Sequence, residues 1–462
     1  MVPRTKIIAS IGPSSSTQDI LLRMIREGVN LIRINYAHAV REQREKFIRL
    51  IRSIEEKYEL VLPIIGDLQG PSIRTGEHKA FQILKGELIK IVNADKTSEC
   101  KTIPLPNSKV YSILEEEDLI IIGAGVLRLR VVDVKSDRVE CTALNDAFLS
   151  PRKTFILPYK DLPLPVITDK DLDDIEFSIK NKIDYLALSF VRTREDVKTL
   201  KDILRDKGGE EIGVIAKVET RKAVENIDYI LNEADAIIVA RGDLGMYFSL
   251  EEIPRLQEYL VRKARMKARP AIVATQLLES MINSPYPTRS EVVDIMVAVH
   301  QGVDALLLAG ETAAGKYPIE AVKWLKRIVA EAEKVTSIMK SEEVLGEDIY
   351  MKFARGVVLL ADALNAKILV YTKRGNTARR ISRFRPRAPV YVITNNPRVM
   401  RKLKLLWGVR SFLASTSDIW KALDELARML KNEGELSYGD IVVSTGGLRE
   451  GATDLIRVHV YE

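Results

Sequence analysis

The sequence predicts an α/β protein built on a (β/α)8 barrel, with a small all-β lid inserted into it and a C-terminal open-sheet α/β domain. Three observations carry this. Short apolar runs alternate with helical stretches, and each run ends in polar or charged residues. That is the rhythm of parallel βαβ units whose chemistry gathers at the carboxyl ends of the strands. The rhythm stops after Asp67 and resumes at Leu164, with a β-rich, turn-rich stretch between. From about residue 345 a second set of apolar runs and helices follows. The expected units are 1–69 with 164–340 for the barrel, 70–163 for an inserted β-barrel lid, and 341–462 for the C-terminal domain.

Residues 4–11, RTKIIASI, read as the first strand, stopped by Gly12-Pro13. Thr17 to Glu27 carries apolar residues at helical spacing after a Ser/Thr cluster, and Gly28 closes it. The second strand, Asn30 to Ile34, runs into Arg33, Asn35 and His38, and a basic-acidic amphipathic helix spans Arg41 to Tyr58. The third strand, Val61 to Gly66, ends at Asp67. Gly70 to about Pro163 then shows FQIL, ELIKIV, LIIIG, VLRLRVVDV and RVECTAL between turn residues. An insertion after a barrel strand hangs over the active-site face, where a lid is its natural role.

After Leu164, Thr168 caps a helix through Lys180, and strand Asp184 to Leu188 ends in Ser189, Phe190 and Arg192. Helix Thr193 to Lys207 leads into Gly213 to Met246, GVIAKVETRKAVENIDYILNEADAIIVARGDLGM. Two apolar runs there are followed at once by Lys217 and Glu219, and by Arg241 and Asp243, with one helix expected over Arg221 to Glu233. Lys217 and Glu219 lie two apart, so on an extended chain they point the same way. A buried lysine beside two carboxylates is costly unless a metal or an anion shares the site. The residues therefore read either as a divalent-metal site with Lys217 facing a phosphate or oxyanion, or as a salt bridge at a barrel rim. Strands Ala271 to Ala274 and Ala305 to Ala309, ending in Thr275-Gln276 and Gly310-Glu311-Thr312, bring the count to eight. Gly310 to Lys316 has the spacing of a nucleotide P-loop, but Tyr317 stands where that motif needs Ser or Thr.

The C-terminal runs are ILVYT, VYVIT, IVVST and LIRVHVY, consistent with an open, mostly parallel sheet. Two of its loops suit an anion: Thr372, Lys373, Arg374, Gly375, Asn376 and Thr377 in one, and GGLREGA, with Gly447 and Arg449, in the other. Glycine-rich turns and helix N-termini cradle phosphates, although ordinary turn chemistry uses the same residues.

Hydrophobic residues are 46% and charged residues 29% of the chain, which marks a globular protein. No apolar run approaches the ~20 residues of a membrane span, and MVPRTKIIASIGPSSS lacks a signal-peptide core. The expected location is the cytoplasm. The net charge is +7, but lysine and arginine are spread along the chain. This argues against nucleic acid and for a charged, thermophile-like surface with a basic pocket for anionic small molecules. Cys100 and Cys141 fit no metal spacing and no CxxC motif; both are expected to be buried thiols, with a disulfide between them as the alternative in a hyperthermophile.

TKIIASIGPSS, GVNLIRIN, GPSIRTG, IAKVET, IIVARGDLG, VATQLLESM, PTRSEVVD and GETAAGKYP, in this order, resemble the successive motifs of the pyruvate kinase family, as does RRISRFRPRAPVYVIT near the C-terminus. The resemblance covers essentially the whole chain. It implies phosphoryl transfer from phosphoenolpyruvate to ADP, giving pyruvate and ATP. Residue by residue, it makes Glu219 and Asp243 the ligands of Mg2+, with Mn2+ as the alternative ion and a second Mg2+ arriving with the nucleotide. Lys217 matches the lysine that stabilises the transferring group and the enolate, and Arg33 the arginine on the phosphate. Thr275 matches the threonine on the proton-delivery route, and Gly242 and Asp243 hold the substrate carboxylate through backbone N–H groups. Ser189 matches a neighbour of the phosphate, Asn35, His38 and Arg74 residues near the nucleotide, and Asn35, Asp67 and Leu68 the monovalent-cation site. The family also implies a homotetramer and a phosphorylated effector in the C-terminal domain.

The chain departs from that pattern at one function. Ala37, Leu68, Gln69 and Ser72 stand where K+-requiring members carry Ser, Thr, Lys and Glu. These departures predict an enzyme that does not require K+. No lysine occupies position 72, where K+-independent relatives often carry one, so the sequence leaves open what stands in for the ion. A Mg2+-dependent barrel lyase would share the Glu/Asp pair but need neither lid nor ADP. A non-catalytic phosphometabolite sensor would have no reason to retain Arg33, Lys217, Glu219, Asp243 and Thr275 together.

Overall fold

The computed structural model describes residues 3–123, 125–135, 137–160, 164–334, 348–447 and 454–462. Eight parallel strands close into a barrel: Lys6–Ser10, Val29–Asn35, Ile64–Asp67, Tyr185–Leu188, Gly213–Val218, Ala236–Ala240, Ala271–Ala274 and Ala305–Leu308. The first strand pairs with both the second and the last, which completes the ring. This is the (β/α)8, TIM-type architecture that the alternation predicts. Alternate residues fill the interior. Ile8, Leu31, Ile65, Ala187, Ile215, Ile238, Ile272 and Leu307 form the inner cluster, and their neighbours pack outward on the helices. Lys217 and Glu219 continue the parity of Ile215, so the pleat carries both toward the barrel mouth.

The helix expected over 221–233 is interrupted. Thr220 caps Arg221–Glu225, and Asn226 separates it from Ile227–Glu233. Asn226 Nδ2 donates to the Arg192 carbonyl at 3.1 Å, an anchor that an unbroken helix would lose.

The inserted segment is all-β apart from one short helix, Ser108–Tyr111. Its strands form a six-stranded sheet and a separate two-stranded ribbon, Phe81–Ile83 with Ala147–Leu149. Where the sequence reading expects a β barrel, the ladders among the described residues leave this sheet open, with Phe155–Ile156 and Thr102–Pro104 at its edges. Cys100 is exposed and Cys141 buried, and both are free, which corrects the expectation of two buried thiols. Position 100 lies in a turn outside the strands, whereas Cys141 points into the sheet core.

The C-terminal sheet has five strands. Lys367–Tyr371, Val390–Thr394, Val409–Leu413 and Ile441–Gly446 are parallel, and Leu455–Val460 adds an antiparallel edge. Val409–Leu413 is absent from the sequence reading because Arg410 and Ser411 interrupt its apolar run. Helices cover both faces.

This domain closes the amino-terminal end of the barrel. Leu405, fully buried, joins the inner barrel cluster as a plug. Asp184, Asp235 and Asp304 each precede a barrel strand, and each accepts the backbone N–H of a neighbouring strand, Ile64, Val214 and Ala271, at 2.8, 2.9 and 3.0 Å. Each also faces an arginine of the C-terminal domain: Arg401 at 2.7 Å, Arg379 at 3.9 Å and Arg385 at 2.9 Å.

Candidate active site

Most of the candidate residues meet at the carboxyl end of the barrel. Arg33 ends the second strand and donates to Asp67 Oδ2 through Nε at 2.7 Å, while its Nη1 reaches Ser10 Oγ at 2.9 Å. Asp67 ends the third strand. Its other oxygen, Oδ1, is buried without a hydrogen-bond partner and lies 3.4 Å from Lys217 Nζ. Lys217 Nζ is 2.8 Å from Glu219 Oε1 and donates to Ser189 Oγ at 2.8 Å. Ser189 donates in turn to the Leu68 carbonyl at 2.8 Å. Five groups from four strands and the loops after them thus form one continuous chain of contacts.

The charges are held against burial. Burial opposes the Lys217 ammonium, but Asp67, Glu219 and Asp243 outweigh it and raise its pKa above the usual lysine value. Burial likewise opposes the Asp67 carboxylate, and Lys217 and Arg33 reverse the balance, so its pKa falls. Asp243 goes the other way: burial first, then the adjacent Glu219, push its carboxyl well up. Two buried carboxylates that share a site cannot both ionise cheaply unless a cation joins them.

Those residues fit a divalent ion. Glu219 and Asp243 supply hard oxygen donors side by side, and the orphaned Asp67 Oδ1 lies in the same cluster. Among the described residues no group of three or more His, Cys, Asp or Glu forms a metal cage. A hard divalent ion binds through one or two carboxylates and takes its other ligands from water and phosphate.

Strained backbone shapes the rim. Phe190, at φ 55°, aims its N–H at Glu219 Oε2 at 2.7 Å. Gly70 sits at φ +67°, and a Cβ there would meet Ser189 Cβ at 2.9 Å, so only glycine lets this loop cross the serine. Thr275 and Gln276 have φ of 69° and 53°. Such conformations persist only where the surroundings enforce them. Here Arg241 does so, donating to the Thr275 carbonyl at 2.7 Å and the Gln276 carbonyl at 2.9 Å, with Asp294 holding it at 2.6 Å. Sequence reasoning missed Arg241, because in a one-dimensional pattern it is only one more charge after a strand.

Not every expected residue joins the cluster. The Gly242 N–H is engaged by Thr275 Oγ1 at 2.8 Å, and Thr275 Oγ1 donates to the Ala274 carbonyl at 2.6 Å. Asn35 Oδ1 accepts from the Ala37 N–H at 3.0 Å. His38 and Arg74 are exposed, and Arg74 donates to the Arg152 carbonyl at 3.2 Å rather than to Asn35 or His38. In the C-terminal domain the strands leading to the two candidate anion loops are neighbours, and the Gly375 N–H donates to Thr372 Oγ1 at 3.0 Å. Lys373, Arg374, Asn376, Thr377 and Gly447 lie in these loops, whereas Arg449 falls outside the described residues. Gly310–Ala313 forms a short helix at the barrel rim, where Glu311 accepts from Leu278 N and Ala309 N at 3.1 and 2.8 Å.

Family models for the pyruvate kinase barrel domain and the pyruvate kinase alpha/beta domain match residues 2–322 and 352–459. The chain belongs to the pyruvate kinase family. It is 34% identical to the pyruvate kinase of Agrobacterium vitis over 98% of this chain and 96% of that one. With the pyruvate kinase of Pyrobaculum aerophilum it shares 35% identity, covering 97% of this chain and 95% of that one. A solved pyruvate kinase from Cryptosporidium parvum superposes with a TM-score of 0.94 at 31% identity, over 99% of this chain and 96% of that one. Membership makes the protein a phosphotransferase, and pyruvate kinases as a family use divalent metal. Among the described residues no helix is long and apolar enough to cross a membrane.

Proposed function

We propose that this site moves the phosphoryl group of phosphoenolpyruvate to ADP, giving pyruvate and ATP. The bond from phosphorus to the enol oxygen breaks, a bond to the terminal ADP oxygen forms, and the enolate takes one proton at carbon. The observation that carries the reading is Lys217: a partly buried ammonium kept charged by Asp67 and Glu219 and steered by Ser189. Phosphoryl transfer needs alignment and charge neutralisation more than covalent chemistry. Lys217 and Arg33 supply fixed positive charge to the phosphoryl oxygens and the enolate, and Ser189 holds Lys217 in place. Glu219 and Asp243 would hold Mg2+, or Mn2+, which neutralises phosphoryl charge when bound, and a second Mg2+ arrives with ADP. Thr275 ends the proton route; a hydroxyl is a weak acid, so it relays from water. The N–H groups of Gly242 and Asp243 take the substrate carboxylate, Gly242 exchanging its Thr275 partner for it. Asn35, His38 and Arg74 face the nucleotide when the lid closes.

We further read the enzyme as independent of K+, and Lys170 supports this. Its ammonium donates to the Tyr36 carbonyl at 3.1 Å and to Gln69 Oε1 at 2.8 Å. Gln69 is one of the four departures, and a lysine there would repel Lys170. Leu68 is fully buried with its carbonyl already taken by Ser189. The Ser72 hydroxyl is buried without a partner. A surface ammonium held by two acceptors thus stands beside the segment that would otherwise hold Asn35 and Asp67 around an ion.

A phosphorylated effector at the 372–377 and 446–452 loops, and a cytoplasmic homotetramer, complete the reading. The test is phosphorus NMR of phosphoenolpyruvate with ADP and Mg2+, with tetramethylammonium as the only monovalent cation, followed by K+. ATP before K+ is expected. ATP only after K+ would remove the cation claim, phosphate or pyruvate without ATP would point to a lyase or phosphatase, and no turnover would leave a sensor.

A further inference from the structure

We propose that Arg44 is a positioning residue for the nucleotide: its buried guanidinium fixes the turn at 36–39, and with it where Asn35 and His38 stand. The inference rests on the reading above that Asn35 and His38 face ADP. Arg44 lies in the first turn of helix Arg41–Tyr58, just past that turn, and is 4% exposed. Its Nη2 donates to the Tyr36 carbonyl and its Nε to the Ala39 carbonyl, each at 2.7 Å. Its Nη1 donates to Asp174 Oδ1 on helix Asp169–Lys180. The three guanidinium nitrogens thus hold three different groups, and two of these bracket Ala37 and His38.

Tyr36 is the fixed end of the turn. Its N–H donates to the Asp67 carbonyl at 3.0 Å, and its hydroxyl shares a hydrogen bond with Ser178 Oγ at 2.9 Å. Its ring is buried edge-on to Phe177, and the Arg44 guanidinium carbon stands 4.4 Å from the ring centre, within reach of a cation–π attraction. A Cβ on Gly66 would meet the Tyr36 hydroxyl at 2.5 Å, so the ring is seated against bare backbone next to Asp67. Beyond Tyr36 the hold is thinner. Asn35 Oδ1 accepts from the Ala37 N–H at 3.0 Å, and the Asn35 carbonyl from the Ala39 N–H at 3.1 Å. Ala37 and His38 are exposed, so packing contributes little to their placement, and a segment with few buried contacts opens easily. The Arg44 fork beneath the turn supplies what packing does not, by tying Ala39 to the same cation that holds Tyr36.

The choice of an arginine follows from that geometry rather than from stability. A buried ion pair such as Arg44 with Asp174 is often matched or exceeded in stability by apolar residues of similar volume. What apolar residues cannot do is hold two carbonyls, and a lysine has one nitrogen where the planar fork offers donors in fixed directions. Lys170 also donates to the Tyr36 carbonyl, but its side chain is 46% exposed against 5% for Arg44. Lys170 joins Tyr36 to Gln69, whereas Arg44 joins the two ends of the turn.

The test is steady-state kinetics of the full chain, with ADP and phosphoenolpyruvate varied separately at one fixed monovalent-cation composition, alongside thermal unfolding. The variants are Arg44→Lys, Arg44→Met combined with Asp174→Leu, His38→Ala, and His38→Ala in the Arg44→Lys background. The Met/Leu pair removes both buried charges together, so it is expected to melt near the wild-type temperature. R44K and R44M/D174L should raise KM for ADP ~10-fold, with kcat and KM for phosphoenolpyruvate within about a factor of two, the pattern of lost ground-state binding. H38A should raise KM for ADP as well, and should add less in the R44K background than alone, because both changes act through one turn. A wild-type KM for ADP in R44K and R44M/D174L, with that of H38A raised, would overturn the Arg44 proposal and leave the nucleotide reading in place. An unchanged KM for ADP in H38A would remove the nucleotide reading, and the proposal with it. Equal rises in KM for both substrates, tracking a fall in melting temperature, would make Arg44 a structural contact and overturn the proposal too.

Discussion

Arg241 and Thr275 are joined by two guanidinium nitrogens on one carbonyl, at 2.7 and 3.2 Å, across 34 residues of sequence. Thr275 has a positive φ, a conformation that a β-branched residue adopts only under constraint. The guanidinium therefore sets where the Thr275 hydroxyl stands. Arg241→Lys keeps the charge but cannot span the Thr275 and Gln276 carbonyls together. We expect kcat to fall by ~10²-fold, as for a misplacement of about 1 Å, with KM little changed. Steady-state kinetics check this; a kcat within a factor of two of wild type would remove Arg241 from the positioning role.

Lys170 and Gln69 form the second relationship with a functional reading, at 2.8 Å. Lys170→Met should lower turnover in tetramethylammonium by at least tenfold, and K+ should restore part of the loss. Gln69→Lys should act in the same direction by driving the Lys170 ammonium away. Initial rates with and without K+ decide it. If K170M turns over normally in tetramethylammonium, Lys170 is only a structural contact.

Lys6 gives a pH dependence to stability. It is buried, donates to the Val409 carbonyl at 2.9 Å, and is brought to about 8 by burial first and then by Lys404. In the unfolded chain it titrates near 10.5. Between those values the unfolded state holds a proton that the folded state has released, so stability rises with pH across that window. The contribution is complete above about 10.5 and is lost as pH falls through about 8. Lys6→Met should flatten the pH 8–10 slope of the denaturation midpoint and match or exceed wild-type stability below pH 8. An unchanged slope would mean that Lys6 keeps its charge in the folded state.

Leu405 plugs the barrel from the C-terminal domain. Leu405→Ala leaves a cavity beneath the inner cluster and should cost about 2–5 kcal/mol, read by chemical denaturation. A loss under about 1 kcal/mol would show that the base collapses around the smaller side chain.

Much of this was legible in one dimension. Strand and helix alternation and the break after Asp67 are local patterns, because burial on two faces makes parallel strands read as apolar runs. The two-residue spacing of Lys217 and Glu219 follows from the pleat. Lys170, by contrast, sits in the first turn of a helix that the sequence marks only as capped by Thr168, and nothing local says that Tyr36 and Gln69 will meet it. Val409–Leu413 was hidden because its edge position lets polar residues interrupt the run.

The barrel, the insertion, the second sheet and the strand ends at which the charged residues gather follow from the order of residues, because these depend on period and polarity between near neighbours. Which charges pair is settled in three dimensions: Arg33 with Asp67, Arg241 with Asp294 and the Thr275 carbonyl, and Arg385 with Asp304. Those outcomes depend on distances of a few ångströms between residues far apart in the chain. Electrostatic energy in a buried site varies steeply with distance and with how much water is excluded, and neither quantity is written in the order of the residues.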